Sequence, residues 1–175
     1  MLVLGVVGAS SCSPEVESLA YSLGSEIAER GAALVCGGHG GVMQAACRGA
    51  RAHGGLTIAI LPGDDPSSAN PFVDIPVATG MGEARNVILV RSSACLVAVG
   101  GEYGTLSEIA FALKLGIPVV GLESWHLTLP GSGHEAPIHV ARDPREAVDM
   151  AMELAAAARA GSRNSAARKA PGRPE

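Results

Sequence analysis

Short, unbroken apolar runs recur along the chain and alternate with longer stretches of helical character. Residues 2–7, 32–36, 56–61, 94–99 and 117–122 are runs of this kind, and 72–77 and 138–141 are shorter candidates. An apolar residue at every position, rather than every second one, marks a strand covered on both faces. Helices are expected over 14–30, 42–53, 84–91, 105–115 and 144–159. Ser13-Pro14 supplies a cap and a proline at the first helical position, while Gly31 and Gly54-Gly55 are stops. Residues 62–71 (PGDDPSSANP) read as a loop. Strand–helix alternation of this kind predicts a single doubly wound, Rossmann-like α/β domain over residues 1–160, with a mostly parallel sheet and helices on both faces. Residues 161–175, rich in Ala, Arg, Ser and Pro, lack a packable pattern and are expected to form a flexible basic tail.

Composition adds a question. The 175 residues are 47% hydrophobic and only 17% charged, which excludes disorder for the bulk of the chain. Glycine stands at 23 residues, about 13% against a usual level of roughly 7%, and has no three-residue period. Aromatics number five, too few for a base-stacking platform along single-stranded nucleic acid. Residues 1–160 carry 9 basic and 16 acidic side chains, and an acidic body argues against nucleic acid as a partner. Cys12, Cys36, Cys47 and Cys95 form no C-x-x-C pair, so no metal site is expected. With no signal-peptide pattern and no apolar run of membrane length, a cytoplasmic protein with no membrane partner is the expectation.

The glycines concentrate where a parallel sheet binds ligands, in the loops leaving the carboxyl ends of strands. Gly8-Ala9-Ser10-Ser11, Gly37-Gly38-His39-Gly40-Gly41, Gly80-Met81-Gly82 and Gly100-Gly101-Glu102-Tyr103-Gly104-Thr105 hold ten of the 23. Without Cβ atoms, backbone N–H groups can approach an anion, and the following helix adds its partial positive charge. The alternative use of such glycines is simply a tight strand–helix turn. No G-x-x-x-x-G-K-[ST] occurs, and no G-x-G-x-x-G follows the first strand, so neither a P-loop nor a dinucleotide site is indicated. Thr105-Leu106-Ser107-Glu108 has capping-box spacing, as does Asp143-Pro144-Arg145-Glu146, so Glu108 is either a capping residue or a ligand-contacting carboxylate. Arg85 is the arginine best placed to grip a phosphate, since a guanidinium offers two parallel donors. His39 is either a phosphate donor or a solvated loop residue, and Glu102 and Tyr103 are rim candidates.

The segment Gly100-Gly101-Glu102-Tyr103-Gly104-Thr105-Leu106-Ser107-Glu108 resembles the P-G-G-x-G-T-x-x-E motif of the LOG ("lonely guy") superfamily of cytokinin-nucleotide phosphoribohydrolases. Gly37-Gly38-His39-Gly40-Gly41-Val42-Met43 is similar to the superfamily's G-G-G-x-x-G-x-M. Arg85-Asn86 with Val90-Arg91-Ser92-Ser93 looks closer to a sister branch that contains molybdenum-cofactor carrier proteins. Val99 replaces the LOG proline, the glycine motif is one residue longer, and Ala84-Arg85 stands where LOG enzymes carry Arg-Lys. The resemblance implies that Met43 joins the ligand site, that Glu108 is catalytic in any enzymatic member, and that the protein is a homo-oligomer, dimer or tetramer.

Two functions follow as expectations. One is binding of a phosphorylated nucleotide-like molecule, whether nucleotide, phosphate or molybdopterin-type ligand, with no cofactor required. Its site would comprise Gly8, Ser10, Ser11, Gly37, Gly38, His39, Gly40, Gly41, Met43, Gly82, Arg85, Gly100, Gly101, Tyr103, Gly104 and Thr105. The other is hydrolysis of the N-glycosidic bond of a nucleoside 5′-monophosphate, with Glu108 and Arg85 as catalytic residues. A pyridoxal-phosphate decarboxylase is disfavoured, because the only lysines are Lys114, late in a predicted helix, and Lys169 in the tail.

Overall fold

The structure, a computed structural model, describes residues 1–131 and 133–169. Seven strands form one sheet: β1 (Val3–Gly8), β2 (Ala33–Cys36), β3 (Thr57–Leu61), β4 (Ile75–Ala78), β5 (Cys95–Val99), β6 (Val119–Leu122) and β7 (Ile138–Ala141). Five helices accompany them: α1 (Pro14–Glu29), α2 (Gly41–Ala52), α3 (Arg85–Ser92), α4 (Tyr103–Leu115) and α5 (Pro144–Lys169). Strand order is β4-β3-β2-β1-β5-β6-β7, and every pairing is parallel. The domain is thus the α/β Rossmann-like architecture expected from the apolar runs.

Alternation along the strands divides the core. Leu4 and Val6, Leu34 and Cys36, and Val97 and Val99 face α1, α2 and α5, where they meet Leu23, Ile27, Val42, Ala46 and Val148. Val7, Val35, Leu96 and Ala98 face α3 and α4, against Leu89, Val90, Ile109 and Ala112. The period of two along each strand sends neighbours to opposite faces, and in the central strands both faces are covered, so their positions are almost all apolar. The edge strands β4 and β7 instead leave Ile75, Val77 and Val140 exposed. Not all the glycine excess serves loops. A Cβ on Gly24 would lie 1.9 Å from the Ala46 carbonyl oxygen, and one on Gly49 would lie 2.0 Å from that of Tyr21. These two residues let α1 and α2 cross with their backbones in contact.

Three local expectations need correction. Helix α4 begins at Tyr103 with Glu102 as its N-cap, so Thr105 is the third residue of the first turn and caps nothing. The capping-box reading of Thr105–Glu108 therefore fails. At Asp143 the cap is real, with the Glu146 N–H donating to Asp143 Oδ1 at 2.8 Å. The strand expected over 72–77 begins three residues later, because Asp74 turns inward: its Oδ2 accepts from the Thr57 N–H at 3.0 Å and from Thr57 Oγ1 at 2.9 Å. The helix expected to end near Arg159 continues in backbone to Lys169. Residues 170–175 lie outside the described residues.

Candidate functional site

All strands point the same way, so the loops after β1, β2, β4 and β5 emerge at one edge of the sheet. β1 and β5 are neighbours at its centre, but the chain leaves β1 towards α1 on one face and β5 towards α4 on the other. The divergence opens a crevice beyond their carboxyl ends, where doubly wound sheets hold ligands. A cavity of about 140 Å³ lies there. It is lined by Gly8, Ala9, Ser10, Met43, Glu83, Arg85, Asn86, Glu102, Gly104, Thr105 and Glu108.

The cavity has an unusual base. Arg85, first residue of α3, and Glu108, in the second turn of α4, are only 5% and 7% exposed. Arg85 Nη1 stands 3.6 Å from Glu108 Oε1, an ion-pair separation too long for a hydrogen bond. Arg85 Nε and Nη1 have no hydrogen-bond acceptor among the described residues, nor has Asn86 Oδ1 a donor. Buried polar groups are rarely left so, and a guanidinium with unmet donors in the wall of a cavity fits an anionic ligand. Burial raises the Glu108 carboxyl to about 7, with Arg85 opposing the shift and Glu83 adding to it. Asn86 is fixed by donating from Nδ2 to Ser107 Oγ at 3.1 Å, and that hydroxyl donates to the Gly104 carbonyl at 2.7 Å.

Helix termini complete the electrostatics. No side chain caps α2 or α4, whose N-caps are Gly40 and Glu102. By contrast Ser13 caps α1, and Asp143 caps α5. α3, with Ala84 as its N-cap, is uncapped as well, so all three helices whose first residues approach the cavity lack a side-chain cap. In α2 the Val42 N–H is taken by the Ala9 carbonyl at 3.1 Å, whereas the first-turn amides of α4 have no side-chain cap and suit a ligand.

Among the residues expected from sequence, the cavity wall gathers Gly8, Ser10, Met43, Arg85, Gly104, Thr105 and Glu108. Gly37 stands behind it, since a Cβ there would come within 2.5 Å of Arg85 Nη1. Gly41, at φ +57°, sits against the backbone of Ala9 and Ser10 and opens on a neighbouring cavity of about 270 Å³ that Ser10 and Ser11 share. Gly38, Gly40, Gly100 and Gly101 shape the loops without lining the cavity wall. His39, Gly82 and Tyr103 are exposed and outside it. Though exposed overall, the His39 ring is partly shielded from water, and this partial desolvation with nearby Arg85 lowers its pKa. Sequence reasoning missed Glu83, Asn86 and Asn70. Asn70 is buried in the loop after β3, and its Nδ2 donates to the carbonyls of Gly38 and His39 at 3.3 and 3.1 Å. Nothing in the local sequence marks it, because its partners lie 31 and 32 residues away. Among the described residues no His, Cys, Asp and Glu cluster could hold a metal ion, and no helix is long and apolar enough to cross a membrane. Lys114 is in the last turn of α4, remote from the cavity.

A parallel sheet, two glycine motifs at uncapped helices and a buried arginine–glutamate pair together define a LOG-like, Rossmann-type domain. The sequence model of the SLOG cluster4 family matches residues 1–148, and the chain belongs to that family. It is 51% identical over 123 residues to an uncharacterized protein of Archaeoglobus fulgidus, covering 70% of this chain and 81% of that one. It is 35% identical over 105 residues to the cytokinin riboside 5′-monophosphate phosphoribohydrolase of Mycobacterium marinum, covering 58% of this chain and 56% of that enzyme. Among solved structures, the molybdenum cofactor carrier protein of Chlamydomonas reinhardtii superimposes with a TM-score of 0.77 at 38% identity, over 89% of this chain and 99% of the carrier. The molybdenum cofactor binding protein of Rippkaea orientalis gives 0.78 at 34%, over 87% and 96%.

Proposed function

We propose that the protein binds a phosphorylated, nucleotide-like small molecule as a carrier-type binding protein, with the phosphate on Arg85 and the first turn of α4. The observation that carries this reading is the buried Arg85 guanidinium, whose Nε and Nη1 have no acceptor among the described residues at the base of a glycine-lined cavity. The near full-length likeness to two molybdenum-cofactor-binding proteins supports a phosphorylated pterin as cargo, with a nucleoside monophosphate as the alternative of the same chemistry. Isothermal titration with phosphorylated pterin and nucleoside monophosphates, each beside its dephosphorylated counterpart, tests it. The phosphorylated forms bind at least about 100-fold more tightly, a preference that Arg85→Ala removes. Equal binding of the dephosphorylated forms overturns the reading. The dimer or tetramer implied by the superfamily resemblance is part of the proposal, and sedimentation measures it.

One observation favours hydrolysis as a second reading. Glu108, its carboxyl raised to about 7 by burial, lies beside the same arginine. Breaking an N-glycosidic bond develops positive charge at the anomeric carbon, which an ionised carboxylate stabilises while orienting water. Water adds to that carbon, and the departing base takes up a proton. Ribose 5-phosphate released from a nucleoside monophosphate and abolished by Glu108→Gln establishes hydrolysis; absence of release across the nucleotide panel leaves the carrier reading alone.

A further inference from the structure

The 140 Å³ cavity has room for a phosphate and part of a sugar, well short of the roughly 300 Å³ or more of a site enclosing a whole drug-sized ligand. A bicyclic ring attached to that phosphate therefore extends beyond the cavity. Next to the wall residues Glu102 and Gly104 stands an exposed aromatic side chain. Tyr103, first residue of α4, is the sequence neighbour of both, and it is 83% exposed. Its centroid is 6.3 Å from that of Trp125, with the two planes inclined by 36°. Trp125 is the chain's single tryptophan, so two of five aromatic residues meet beside the site.

The loop bearing Trp125 is held to the glycine motif. Ser124 Oγ donates to the Gly100 carbonyl at 2.6 Å, and the Gly100 N–H donates to the Leu122 carbonyl at 3.1 Å. Trp125 also packs on the core under α3 and α4, which fixes one side of the pair. The other side, Tyr103, is left to solvent at a cost in exposed apolar surface. Large exposed aromatic faces beside a polar cleft commonly receive flat ring systems.

We propose that Tyr103, backed by Trp125, is the ring-binding subsite of this protein and selects flat heteroaromatic ligands such as a pterin or purine. The proposal rests on the phosphate cradle described above and adds a specificity element outside it. Tyr103 stacks on the ring, and Trp125 sets the tyrosine's orientation and senses its occupancy. The neighbouring 270 Å³ cavity, lined by Glu17, Gln44 and Arg48, offers charged groups and no aromatic face.

The test compares ribose 5-phosphate with GMP and with a phosphorylated 6-hydroxymethylpterin, by titration calorimetry and by tryptophan fluorescence. A ring-bearing phosphate that binds the cradle quenches Trp125, and ribose 5-phosphate does not. Tyr103→Ala weakens the ring-bearing ligands by about 10-fold, within the range of one lost stack, while Tyr103→Phe retains their affinity. Because Tyr103 is so exposed, neither variant threatens folding. If ring-bearing ligands bind no better than ribose 5-phosphate, or Tyr103→Ala weakens all three equally, the subsite is refuted and the cradle stands. Unquenched fluorescence on tight GMP and pterin binding also refutes it and places the ring elsewhere. If nothing phosphorylated binds, the cradle itself fails and the subsite falls with it.

Discussion

Gly37→Ala puts one methyl group against the guanidinium on which the proposed function depends. The added Cβ would lie 2.5 Å from Arg85 Nη1, 2.7 Å from Nη2 and 3.0 Å from Cζ. Ordinary contact starts near 3.4 Å, so the guanidinium must retreat by about 0.9 Å. The end of an arginine side chain can move that far, and the position carries no positive φ, so the fold loses only about 1–2 kcal/mol through local overpacking. Binding suffers more. A charge-assisted hydrogen bond pulled out of reach costs about 1.5–3 kcal/mol, on the order of 10- to 100-fold in affinity. A second glycine separates the two effects: Gly104→Ala meets nothing within 4 Å and lies in the first turn of α4, so stability stays within about 1 kcal/mol of the parent. Urea denaturation and titration with a phosphorylated ligand are the paired assays. Gly37→Ala with wild-type affinity would show that Arg85 is not the anion-gripping group, whatever its effect on stability.

Further outcomes follow from the same geometry. Glu108 ionises near 7 in the folded protein against an ordinary 4.5, so it leaves stability untouched below about pH 4.5, where both states are neutral. As pH rises towards 7 the unfolded chain ionises first and stability falls, reaching a penalty on the order of 3 kcal/mol above the folded-state value. Glu108→Gln therefore gains on wild type between pH 5 and 8 in urea midpoints, and parallel pH profiles would contradict the burial argument. Asn70→Ala strands the carbonyls it serves and lowers stability by about 1–3 kcal/mol, read by thermal unfolding; ligand affinity falls with it, because Asn70 holds the Gly38–His39 turn. An affinity unchanged in that variant would detach the turn from binding. Ribose 5-phosphate release, if present, tracks Glu108 ionisation and rises through about pH 7, whereas a profile flat from pH 5 to 9 excludes Glu108 from that chemistry.

Much of this protein was legible in the sequence because its signals are local. An apolar residue at every strand position requires cover on both faces, and that alone leads to a parallel sheet with helices on each side. The last strand, Ile138–Ala141, and the start of α1 at Pro14 coincide with their expected limits, being bounded by turn and cap chemistry within a few residues. The glycine motifs, too, could be placed at strand ends. The capping-box reading of Glu108 failed for a reason that no local pattern contains. Thr105 and Glu108 have the right spacing, but the start of α4 was decided two residues earlier, and Glu108 was drawn instead to Arg85 on another helix.

Tertiary structure alone decided which loop residues share a cavity, that Gly24 and Gly49 serve a helix crossing rather than a ligand, and that Tyr103 meets Trp125. It also turned Asp74 inward to Thr57 and placed Asn70 under the glycine turn. The physical division is one of range. Periodicity, caps and turns depend on neighbours within one or two turns of chain, so composition and spacing determine them. The buried charge of Arg85, the raised carboxyl of Glu108 and the small volume between them arise from packing residues far apart in sequence, and they exist only once the sheet has brought its strand ends together.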